Sequence, residues 1–203
     1  FYDYEGQRQD LIRYMRETEN QLQILLCELA AYLHNKDMEI NVWDRIIAFE
    51  GRMHEFIKAA YDYQDNTFHS HPGYYIDYFE MRLAQLQVLH NLHYEIKKIR
   101  KMPKQALVIA DYIMYMADYV VEMNIPDQQI EKLEEISEQM KQEELPKTRE
   151  EFEGRALLYH ILMDLEEFLV YKKRFVNGLD EKKLRIYWKQ EMEQKDSANE
   201  LQK

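Results

Sequence analysis

His90 and His93 stand three residues apart at the end of a run, Ile76, Phe79, Leu83 and Leu86, whose spacing alternates between three and four. On a helix that seam continues through His90 and His93, so both imidazoles are expected to face the interior, where such a pair can ligate a divalent metal. Glu50 and His54, four apart on the preceding helical segment, can add ligands. A helical di-iron site, however, needs Glu-x-x-His on two helices with two further Glu, and Glu-x-x-His occurs nowhere in the chain. The alternative is a pair of histidines hydrogen-bonded within a core or boundary layer.

A second set is Glu153, His160, Asp164 and Glu167, which share one side of a long helical segment next to its apolar face. Three carboxylates and an imidazole on one stripe can hold a divalent cation or a basic partner. Arg155, four after Glu151, and Lys172, five after Glu167, equally fit a salt-bridged helix surface. His69 and His71 lie in a segment read as loop and form a weaker candidate. Catalytic patterns are missing: there is no Gly-rich phosphate loop, no Gly-x-Ser-x-Gly elbow and no His-Glu-x-x-His. Cys27, between Leu25 and Leu29, is expected on the apolar side of the first helix as a small buried hydrophobe. No enzyme activity and no cofactor are expected.

The elements that must position these residues are helices. Of 203 residues, five are Gly and four Pro, where average usage of the two together is roughly 12%. Sheets need more turn material than that, so the chain is read as all-α. With 27 basic and 38 acidic residues the formal charge is −11, which opposes binding to nucleic acid. No apolar window approaches the length of a membrane span, and no signal peptide is present. The chain opens Phe1-Tyr2-Asp3-Tyr4 without Met, and is read as a soluble piece of something longer.

Leu11, Met15, Thr18, Leu22, Leu25, Leu29 and Tyr32 form a heptad seam on a first helix from about 7 to 34. A second helix, capped by Asn41, is expected to turn Trp43, Ile46, Ile47, Met53, Ile57, Ala60 and Tyr61 inward. His69 to Gly73 is a loop by its Pro-Gly pair. The third helix carries the His90 seam and ends in the basic run Lys97, Lys98, Arg100 and Lys101. Pro103 fits the first turn of a fourth, with Ala106, Ile109 or Ala110, Ile113, Met114, Ala117, Val120 and Val121 as its face, ending before Asn124. An acidic helix runs from Asp127 to about Glu143. The capping box Thr148-x-x-Glu151 opens the last long helix, with Phe152, Ala156, Tyr159, Leu162, Met163, Leu169 and Val170 inward and a C-cap at Asn177-Gly178. A short helix follows from Asp180, and 190–203 reads as a frayed tail.

The simplest packing is one domain over 1–203, with its core at about 7–178: an antiparallel bundle of four long helices with one or two additional shorter ones. The tyrosines are expected partly at its rim with wetted hydroxyls. The basic run from Lys97 to Lys104 either meets an anionic membrane surface or pairs with the acidic stretch from Asp127 to Glu153, the second being favoured.

Three stretches carry a family likeness. They are His71-Pro72-Gly73-Tyr74-Tyr75 leading into Met81-Arg82-Leu83-Ala84-Gln85-Leu86; Ile109-Ala110-Asp111-Tyr112; and Thr148 to Leu162, reading TREEFEGRALLYHIL. Together they resemble the C-terminal soluble domain of the aromatic acid exporter family of Gram-positive bacteria, over about 7–175. The resemblance implies a parent whose N-terminal transmembrane block, absent from this chain, precedes this domain on the cytoplasmic side of the cell membrane. It also implies a role in exporting aromatic carboxylic acids. The expected function is then regulation, assembly or partner binding without catalysis, with the membrane and a second copy as partners. The competing reading is a helical bundle that senses a divalent cation or a small acid such as an aromatic carboxylate.

Overall fold

A computed structural model describes residues 4–35, 41–67 and 73–188. Among them there are seven α-helices and no strand: α1 Tyr4–His34, α2 Val42–Asn66, α3 Gly73–Lys98, α4 Ala106–Ala117, α5 Asp127–Lys141, α6 Arg149–Asn177 and α7 Glu181–Tyr187. The all-α bundle read from composition and periodicity is the observed class. The readings placed on Phe1 to Asp3, on His69 and His71 and on the tail at 190–203 lie outside the described residues.

Every residue of the α1 seam, from Leu11 through Thr18 to Tyr32, is buried. α2 returns antiparallel to α1, as Arg45 pairs with Glu28 near one end and Arg52 with Glu17 further along. α3 in turn runs antiparallel to α2, with Tyr61 opposite Glu80 and Glu50 opposite His90. α6 lies antiparallel on α3, where Gln85 Nε2 donates to the Phe168 carbonyl at 2.8 Å and Tyr78 meets Phe175 edge-on. α4 lies antiparallel on α1, where His34 faces Asp111 and Gln23 donates to the Val120 carbonyl. α5 bridges α4 and α6. The long helices are thus α1, α2, α3 and α6, and α3 is wrapped on most of its circumference: fourteen of its residues are buried.

Several faces differ from the periodic reading. On α2 the buried residues are Val42, Ile46, Phe49, Met53, Phe56, Ala60 and Tyr63, while Trp43, Ile47 and Tyr61 are exposed. α4 stops at Ala117, because the following turns deliver the Val120 and Val121 carbonyls to Gln23 and Lys172. Met114 and Val121 are exposed, and Tyr112 and Met116 are buried instead. On α6, Phe152, Ala156 and Met163 face outward, and the helix buries Leu158, Ile161, Leu165 and Phe168. Cys27 is exposed, being one position past the seam pair Leu25 and Leu26.

The cap readings fare better. Thr148 Oγ1 accepts from the Glu151 N–H at 3.1 Å, and Glu151 Oε2 accepts from the Lys147 N–H at 2.8 Å, so the box reaches back one residue further than the usual form. Asn41 stands at the α2 N-cap without a side-chain hydrogen bond. Gly178 ends α6 in right-handed geometry. Asp180 caps α7 by accepting from the Lys183 N–H at 2.7 Å.

Candidate functional site

His90 and His93 occupy the C-terminal half of α3 where it passes the start of α2. His90 is half-buried and its Nδ1 lies 3.3 Å from Glu50 Oε1. Trp43 meets the His90 ring edge-on at 4.5 Å, Tyr94 stacks on that ring at 5.6 Å, and Trp43 and Tyr94 meet each other edge-on at 5.4 Å. His93 is buried, and burial, with help from Lys97 and His90, holds its imidazole below the ordinary value. His54, one turn beyond Glu50, is exposed. The structure therefore brings Glu50 to His90 beside a cluster of aromatic rings, and leaves His54 apart. Among the described residues no group of three or more His, Cys, Asp or Glu is placed to hold a metal ion.

The second set divides. Asp164 is buried, while Glu153, His160 and Glu167 are exposed. His160 Nδ1 lies 3.5 Å from Asp164 Oδ2. Burial pushes the Asp164 carboxyl up; His160 opposes that rise, and Glu167 and Glu95 add to it. Arg155 and Lys172 are not surface partners of Glu151 and Glu167. Arg155 is buried and Nη1 donates to the Glu144 carbonyl. Lys172 is buried too, with Nζ donating to the Val121 carbonyl at 2.7 Å.

The largest polar assembly was not singled out by sequence. Arg82, buried at the centre of α3, donates through Nε to the Tyr78 hydroxyl at 3.0 Å and through Nη1 to Gln85 Oε1 at 2.9 Å. The Tyr78 hydroxyl donates to Glu19 Oε1 at 3.1 Å. Arg16 joins Glu19 to Glu122, with contacts of 3.1 and 3.3 Å. Glu122 Oε2 accepts from the Tyr74 hydroxyl at 2.6 Å, and that hydroxyl accepts from Trp188 Nε1 at 3.0 Å. Burial first, then Glu122, pushes the Tyr74 phenol far up; burial pushes Tyr75 up to about 12. These phenols stay neutral donors at any physiological pH. The network ties α1, α3, the turn after α4 and the end of α7 into one body, so Tyr74 and Tyr78 are interior hydrogen-bonding groups, while Tyr61, Tyr94 and Tyr119 lie exposed, as expected of a rim. The available signal was a charged residue standing inside an apolar seam, Glu19 beside Thr18 and Arg82 beside Leu83.

A cleft of about 280 Å³ opens between the segment 101–105, the connection 143–147 and the start of α6. Gly154 lets α6 approach closely there, since a Cβ would meet Pro103 Cγ at 3.0 Å. Lys101, Lys104, Lys147 and Arg155 line it together with Glu143, Glu144, Glu150 and Glu151. The basic run thus faces the acidic stretch of its own chain across this opening. Four cations offset by four carboxylates give the cleft no net preference for an anionic ligand.

Comparison with known proteins agrees with this architecture. Uncharacterized protein YqjA of Bacillus subtilis (strain 168) is 26% identical over 167 residues, which cover 81% of this chain. The chain spans about half the length of that relative, 51%. The crystal structure of a putative membrane protein from Clostridium difficile 630 superposes with a TM-score of 0.72 at 24% identity, covering 81% of this chain and 98% of the other; at that identity it shares the fold. Residues 8–173 match the family described as "Putative aromatic acid exporter C-terminal domain". A match over most of the chain makes it a member of that family.

Proposed function

We propose that this chain is the cytoplasmic C-terminal domain of a Gram-positive membrane exporter of aromatic acids, and that it serves assembly or regulation of the exporter without catalysing a reaction. The observation that carries this reading is the family match over 8–173. Three features support it. The Bacillus relative has about as much chain again outside the matched part. No helix among the described residues is long and apolar enough to cross a membrane, so a membrane-spanning function requires a further part. The interior polar groups Glu19, Tyr74, Tyr78, Arg82 and Glu122 are engaged with one another in a network that joins four elements.

The test is fractionation of the full-length gene product. It is expected in the membrane fraction, with this domain digested by protease added to inside-out vesicles and protected in right-side-out ones. A full-length product that stays in the soluble fraction, or a domain digested from outside, overturns the proposal.

A further inference from the structure

α6 carries two apolar stripes on opposite sides. One packs inward through Leu158, Ile161, Leu165 and Phe168. The other begins with Phe152, 63% exposed, passes through Ala156 and Met163, 66% exposed, and continues to half-buried Val170. At 100° per residue these positions share one line on the helix, the pattern by which one helix docks on another. Along one edge of that outer stripe Glu153, His160, Glu167 and Arg174 recur every seven residues, all exposed.

We propose that this face docks a second copy of the chain, the two α6 helices lying antiparallel about a two-fold axis near Met163. A two-fold interface must be complementary to itself, and the order of the edge residues meets that condition in one register. Glu153 then faces the partner's Arg174 and His160 faces the partner's Glu167, and symmetry repeats both contacts. In the same register Ala156 meets the partner's Val170, Phe152 lies against the stem of the partner's Arg174, and Met163 meets its own copy. A shift of one heptad either way sets Glu against Glu or His against His or Arg. Charge order thus fixes direction and register while the apolar stripe supplies the buried area. The set Glu153, His160 and Glu167, read from sequence as a cation or partner stripe, is here the edge of a protein interface.

Sedimentation velocity of the 203-residue chain tests this, and is independent of where the full-length protein resides. The chain is expected to dimerise, and Met163→Glu to leave a monomer with unchanged helical circular dichroism. Glu153→Arg or Arg174→Glu alone should weaken association about tenfold, because each places like charges on both symmetric edges. The double variant Glu153→Arg/Arg174→Glu should restore it. A chain that remains monomeric up to about 200 μM, a dimer indifferent to Met163→Glu, or a double variant no tighter than the single ones overturns the proposal.

Discussion

Asp164 is the carboxylate whose surroundings oppose its charge. It is 7% exposed, and Oδ2 faces the His160 Nδ1 at 3.5 Å. Its folded-state pKa lies above the ordinary 3.8, with burial the largest cause, so the folded chain holds this proton more tightly than the unfolded one. The group's contribution to stability is therefore fully present below the unfolded pKa and is lost as pH rises through the folded value. At neutral pH the ionised carboxylate destabilises the fold. Asp164→Asn, which keeps the shape and removes the charge, should melt at a higher temperature than the parent at pH 7, with the advantage shrinking toward pH 4. Melting curves across that range check it, and a pH-independent difference would refute the assignment. Residues of this kind are the least legible in sequence. The spacing placed Asp164 beside the apolar face of α6, but its electrostatic surroundings include Glu95, on another helix some seventy positions away. The same holds for Lys172, whose partner is the Val121 carbonyl, and for Arg82, whose partners Tyr78 and Gln85 on its own helix lead on to Glu19 and Phe168 in other parts of the chain.

At the scale of elements, sequence reading succeeded where one helix face outweighed the others. The α1 seam is the clearest case, since its apolar positions fall on a single narrow line. α6 is the opposite case. Its outer line Phe152, Ala156, Met163 is as regular as its inner one, and periodicity carries no information about which line meets α3. α4 is apolar nearly all round, so its buried face was likewise undetermined. Two of the helical glycines, Gly51 and Gly154, separate local from tertiary demands. A Cβ at Gly51 would meet nothing within 4 Å. Gly51→Ala should therefore stabilise by about 0.5–1 kcal/mol through helix propensity alone. At Gly154 the Pro103 ring and the Lys101 carbonyl stand 3.0 and 3.4 Å from the position of a Cβ. Gly154→Val adds a Cβ and two methyl groups at that contact and should destabilise by about 1–3 kcal/mol. Urea unfolding of the two variants against the parent measures both, and equal signs would contradict the packing described.

For the whole molecule, the direction of α1 decides what the basic run can meet. Lys97 lies over the ring of Tyr32 at 4.7 Å, and His34 faces Asp111 on α4. The run from Lys97 to Lys104 thus sits at the C-terminal end of α1, roughly 40 Å along the helix axis from Tyr4 at 1.5 Å per residue. In an exporter joined to this domain ahead of α1, the run would be held at the far end of α1 from that junction, several times the screening length of about 8 Å at physiological salt. The chain as a whole carries −11, which repels an anionic surface. Electrostatic attraction of about 1 kcal/mol per basic residue operates only near the surface, so the run should contribute nothing to membrane association. The 203-residue chain is expected not to co-sediment with phosphatidylserine-rich vesicles at physiological salt. In the full-length protein, Lys97, Lys98, Lys101 and Lys104 replaced by Gln should leave the membrane-bound fraction unchanged. Vesicle binding that fades with salt and with those substitutions would mean that the run touches lipid. The acidic residues across the cleft would then be competing with the bilayer for it.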